Sequence, residues 1–201
     1  MRLDDALAEI ALIRRQLARV EVYRGVRAAP VACTGLIALA AGSFQALTIG
    51  GSPAELSRYL ATWCAAAGVN ATLSALAIAL RLCEDHSPLA RQATWLLVEQ
   101  FLPCVAAGAL VTLAIAATAP GAAWMLPGCW QVLFSLGVFA IARQLPRAGY
   151  AIALFYLLAG AANLGGLGDL PPLSPWRMAI PFAIGQGLSA VVLYVSLERR
   201  A

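Results

Sequence analysis

Residues 93–118 read ATWLLVEQFLPCVAAGALVTLAIAAT, and the reading of this stretch decides the fold. One charged side chain, Glu99, interrupts a run longer than the ~20 apolar residues that a helix needs to cross a bilayer. Ser87 and Pro88 stand just before it as a helix start. On either side the pattern repeats. Apolar runs over about 29–49, 54–80, 129–145, 149–164 and 176–197 predict five further spans, six in all. The fold class expected is an all-α integral membrane six-helix bundle occupying residues 28–201.

The connections have turn chemistry. Gly50-Gly51-Ser52-Pro53 closes the first hairpin, where Ser52 with Glu55 forms a capping-box pair and Pro53 takes the first helical position. The segment Arg81–Arg91 is the one clearly polar internal loop. Residues 119–128 carry no charge and predict a loop, and a Gly/Pro-rich stretch over 165–175 precedes the sixth helix. An inverted 3+3 repeat is permitted by this topology, without a residue-level echo between the halves.

Composition agrees with lipid as the solvent. Apolar residues make up 61% of the 201 and charged ones 12%, against about 45–50% and about 25% in soluble domains. The net charge of +4 is not a nucleic-acid signal, because the cations are spread over short connections beside apolar helices. All 14 basic residues are arginine. Arg2, Arg14, Arg15, Arg19, Arg24 and Arg27 precede the first span. Arg81 and Arg91 follow the second, Arg143 and Arg147 the fourth, and Arg199 and Arg200 the sixth. Only Arg58 and Arg177 fall on the other side. Arginine excess marks the cytoplasmic face, so both termini are expected in the cytoplasm of a cell with this inner membrane. Trp63, Trp95, Trp124, Trp130 and Trp176 lie near span ends, where an amphipathic ring prefers the headgroup region. No cleavable leader is expected ahead of Asp4, Asp5 and Glu9.

Residues 1–27 predict a separate amphipathic helix outside the bilayer. Leu3, Ala6, Ile10, Ile13, Leu17 and Val20 step by three and four onto one stripe. Acidic residues open the segment and arginines close it, as the helix dipole prefers. The stripe suits either a docking seam for a second copy or a protein partner, or a position in the headgroup plane. Two and a half heptads are too few for an isolated coiled coil, which favours the interfacial or docked form.

Polar residues inside the spans are the candidate site. Glu99 lies one turn deeper than Trp95, and Pro103 cannot donate to its carbonyl. An intramembrane carboxyl defaults to a proton or cation site. The alternative is a shallow group reaching water or pairing with Arg91 or Arg143. Asn70, Gln100 and Gln186, with Gln45, Gln131 and Asn163, either line a cavity or hydrogen-bond between helices and hold the bundle together. Gly42, Gly108, Gly137, Gly160, Gly185 and Gly187 allow close helix contact, and Pro181 predicts a kink in the sixth helix.

The remaining chemistry reads as absent. Cys33, Cys64, Cys83, Cys104 and Cys129 show no paired spacing, and free thiols in apolar runs behave as small hydrophobes. Cys83-Glu-Asp-His86 has metal-type side chains but not the three or four suitably spaced ligands of a zinc site. His86 is the single histidine, which leaves an intramembrane serine hydrolase without a base. No catalytic residue, metal or cofactor is expected.

Two stretches, Phe101-Leu-Pro-Cys-Val-Ala-Ala-Gly-Ala-Leu-Val-Thr112 and Leu126-Pro-Gly-Cys-Trp-Gln-Val-Leu-Phe-Ser-Leu-Gly137, together with Ile13-Arg14-Arg15-Gln16, resemble a group of small bacterial inner-membrane proteins without an assigned activity. The resemblance implies a six-helix membrane protein and carries over no catalytic or binding residue. The functional expectation is a non-enzymatic accessory, sensory or self-assembling membrane subunit. The alternative is a small transporter or channel built on Glu99 and nearby amides.

Overall fold

The computed structural model describes residues 27–48, 55–84, 88–168, 170–171 and 173–199. The expected stripe of Leu3, Ile10, Ile13, Leu17 and Val20 lies outside these residues, as do the Ser52 cap and His86. Every described element is helical. Six helices run as α1 (Ala28–Thr48), α2 (Glu55–Glu84), α3 (Pro88–Thr118), α4 (Leu126–Ile141), α5 (Gly149–Leu164) and α6 (Trp176–Leu193). Five stretches are long and apolar enough to cross a membrane: Ala28–Thr48, Leu56–Leu80, Arg91–Thr118, Pro120–Gln144 and Trp176–Ser196. The exception is α5, whose 16 residues span about 24 Å.

Two boundaries depart from the sequence reading. Residues 120–128 are not a loop: Pro120–Met125 form a 3-10 helix and α4 starts at Leu126. Pro127 sits in the first turn of α4, where its missing N–H would have had no helical partner anyway. At the other end of α4 a 3-10 turn, Ala142–Gln144, replaces the last expected helical residues. The sixth helix closes in a π-turn over Tyr194–Glu198, with the Arg199 amide donating to the Tyr194 carbonyl at 2.8 Å. α5 ends in a Schellman motif. Gly166 adopts φ +68, and the amides of Leu167 and Gly166 donate back to Ala162 and Asn163.

Consecutive helices alternate in direction, so α1, α3 and α5 start at the end of the bundle that holds Ala28. The tightest antiparallel pairs are α4 with α5 and α1 with α6. Glycine sets both distances. A Cβ on Gly160 would stand 2.9 Å from the Gly128 carbonyl oxygen and 2.8 Å from Val132, and one on Gly42 would stand 2.5 Å from the Ala179 Cβ. α3 packs on α4 and α2 on α1, whereas α2 and α3 barely meet. Phe101, Phe134, Tyr156 and Phe182, from α3, α4, α5 and α6, fill the middle with ring centroids 4.8–5.5 Å apart. Edge-to-face pairs of this kind add about 0.5–1.5 kcal/mol each beyond their buried area.

The outer surface, unlike that of a bundle in water, is as apolar as the interior, and several polar side chains lie inside. Gln45, Gln131, Ser135, Gln144 and Arg177 are buried. Leu36, Leu47, Leu110, Leu113, Leu158 and Val191 stand outward, with Leu47 88% exposed. Apolar surface spread this widely around a single chain far exceeds the few hundred Å² patches of a soluble monomer.

Candidate functional site

The most developed polar constellation starts from a proline. Pro181 interrupts α6, so its nitrogen cannot donate to the carbonyl four residues back. That carbonyl belongs to Arg177, and two side chains from other helices satisfy it. Gln131 of α4 donates through Nε2 at 2.7 Å and Asn163 of α5 through Nδ2 at 3.1 Å. The same Asn163 Nδ2 also donates to Gln131 Oε1 at 2.9 Å. The Arg177 guanidinium turns the other way. Its Nε donates to the Pro171 carbonyl at 3.0 Å, Nη2 to Leu170 at 2.6 Å, and Nη1 to Asn163 Oδ1 at 3.1 Å. One residue thus joins α4, α5, α6 and the α5–α6 connection. The arginine is only 8% exposed. It holds backbone in place and presents no free face for acid–base chemistry.

A second group lies at the same end, between α1, α2 and α4. The Trp63 indole donates to Gln45 Oε1 at 2.8 Å, and the Trp130 indole to Thr112 Oγ1 at 2.8 Å. Tyr59 sits between the two indoles, stacked on Trp130 at a centroid distance of 6.2 Å and tilted against Trp63 at 6.3 Å. The Gln45 Nε2 and Tyr59 hydroxyl, both fully buried, have no protein partner. These two tryptophans therefore leave the interfacial role expected from their positions. Trp95 and Trp124 do face outward. In the middle of the bundle Ser135 donates to the Ala153 carbonyl at 2.7 Å, tying α4 to α5 again.

At the Ala28 end a partly open cavity of about 150 Å³ lies among α1, α3, α4, α5 and α6. Val31, Phe134, Val138, Ile152 and Val192 supply much of its wall, and Gln186 and Ser189 are its polar members. Ser189 Oγ donates to the Gly185 carbonyl at 2.7 Å, and the nearby Tyr156 hydroxyl donates to the Phe182 carbonyl at 3.5 Å.

The four residues expected to form an intramembrane site do not share one cavity. Glu99 is exposed on α3. Gln100 accepts from Gln144 Nε2 at 3.0 Å, joining α3 to the end of α4. Asn70 is half-buried on α2, and its Oδ1 has no partner. Gln186 alone of the four lines the cavity. Among the described residues no three His, Cys, Asp or Glu side chains come together in a metal-type group. Arg177 was missed as a buried hub. The signal available was Pro181 four residues downstream, which leaves a carbonyl that some donor must reach. Comparison with protein-family models, with curated proteins and with solved structures finds no match for this chain.

Proposed function

We propose that the chain is a non-enzymatic, multi-pass integral protein of a bacterial inner membrane, acting as an accessory, sensory or self-assembling subunit with both termini in the cytoplasm. The observation that carries the membrane part is the apolar exterior, with leucines facing outward on helices long enough to cross a bilayer. The orientation rests on the arginine count. Burial of Arg177 sharpens it, because Arg58 then stands as the exposed arginine of the sparse side.

Two further observations support assembly over conduction. Gln100, Gln131 and Asn163 spend their hydrogen bonds on other helices, which is the packing use of intramembrane amides. The second half of α2 is exposed all round between residues 71 and 76, and a Cβ on Gly68 would meet open space. Lipid or a neighbouring subunit covers that surface.

The test is the mass of the purified protein in mild detergent, measured by light scattering, for the full chain and for a form lacking residues 1–25. The expected result is an oligomer that dissociates, or a bound partner that is lost, on removal of the segment. Identical assembly of the two forms overturns the role given to the N-terminal stripe.

A further inference from the structure

We propose that the cavity at the Ala28 end binds one acyl chain of an anionic phospholipid, an assignment that rests on the membrane reading above. Its volume of about 150 Å³ is that of an apolar cavity that takes up benzene, so it seats a segment of the chain and leaves the rest in the bilayer. A water molecule needs two to four polar partners. Among the described residues the wall offers only two polar ones, and one of them, Ser189, is already bonded to the Gly185 carbonyl. Hydrocarbon is therefore the occupant that loses least. The cavity runs from the ring group at Phe101 and Phe134 to the α4–α5 connection at Leu145 and Pro146, so a chain can lie along the bundle axis with its head at the connection.

The headgroup charge follows from the same connection. Arg143 and Arg147 flank Leu145 and Pro146 and are exposed, and Arg199 is exposed at the same end. Guanidinium groups pair with phosphate oxygens through two parallel hydrogen bonds. Glu99, also exposed, stands on α3. An anionic glycerophospholipid satisfies both parts, with chain in the cavity and phosphate on the arginines.

The probe is palmitoyl-oleoyl phosphatidylglycerol, with phosphatidylcholine of the same chains as the control, titrated onto delipidated protein and read by native mass spectrometry. One tightly held phosphatidylglycerol is expected. Val192→Phe and, independently, Ser189→Leu fill the cavity. At about fourfold per methylene excluded, each is expected to weaken binding at least tenfold. Arg147→Gln and Arg143→Gln, at exposed positions, are each expected to cost about fivefold for phosphatidylglycerol and little for phosphatidylcholine. Parental affinity in both filled variants, or equal affinity for the two lipids in the parent, overturns the assignment. Flotation with liposomes is measured first. A chain that fails to float refutes the membrane reading itself, whereas one that floats yet ignores the cavity variants refutes only the acyl-chain site.

Discussion

Replacing Gln131 by leucine tests whether the carbonyl released by Pro181 is what fastens the bundle. Besides a long contact to the Met178 sulfur at 3.9 Å, Gln131 makes two interhelical bonds to oxygen or nitrogen, to the Arg177 carbonyl at 2.7 Å and from Asn163 at 2.9 Å. Leucine keeps the volume and removes both. Interhelical bonds in membrane proteins contribute about 0.6 kcal/mol on average and about 1.7 at most, so the loss is about 1–3 kcal/mol. Asn163 still reaches the carbonyl at 3.1 Å, which keeps the cost below that of a fully orphaned group. The diagnostic step is to repeat the change in a Pro181→Ala background. Alanine restores an N–H that can bond the Arg177 carbonyl within α6, so loss of Gln131 should cost about 1 kcal/mol less there. Reversible unfolding in mixed detergent micelles, followed by far-ultraviolet circular dichroism, measures all four corners of the cycle. If the Gln131→Leu cost is the same in both backgrounds, the carbonyl is not the point of attachment and the reasoning fails.

Three other expectations follow from the same geometry. Gly160→Ala puts a methyl group against backbone on α4 and is expected to destabilise by about 1–3 kcal/mol, whereas Gly187→Ala, which meets open space, should be neutral or slightly stabilising in the same unfolding assay. Trp63→Phe strands the Gln45 carbonyl in the interior and should cost about 1–3 kcal/mol. Trp95→Phe, on the outer surface, should change stability by less than about 0.5 kcal/mol, and equal effects at the two positions would argue against the Gln45 bond. Fluorescent-protein and alkaline-phosphatase fusions at Ala201 should be bright and inactive respectively, the pattern of a cytoplasmic end, and the opposite pattern inverts the orientation.

The helices are legible because apolar runs of 16 residues or more, bounded by turn residues, leave few alternatives. What lies inside the bundle was much less so. In a helix such as α3, apolar on every side, no period marks the inward face, so the sequence could not say that Glu99 points out while Thr94 and Leu97 point in. Residues 119–128 looked like a loop because proline and glycine punctuate them. Pro127 instead occupies a helix start, and Gly128 is small because a Cβ there would lie 2.8 Å from the Gly160 carbonyl oxygen. In the sequence Arg177 reads only as a charge that orients the chain. Its burial depends on Asn163 and on carbonyls over 168–171, contacts that no local pattern announces. Position along a span gives the depth of Trp63 and Trp130, and depth does not say which way a ring faces.

The shortness of α5 has a consequence for the segment that follows it. Sixteen residues reach about 24 Å, less than the ~30 Å hydrocarbon thickness of a typical bilayer. On the membrane reading proposed above, the irregular backbone after Leu164 would lie below the level at which water solvates its carbonyl oxygens. Arg177 does that solvating in water's place: its forked head hands protons to Leu170, Pro171 and Gly168. In that setting a cation that the chain carries within itself would let uncoiled peptide exist at a depth where lipid tolerates only helix.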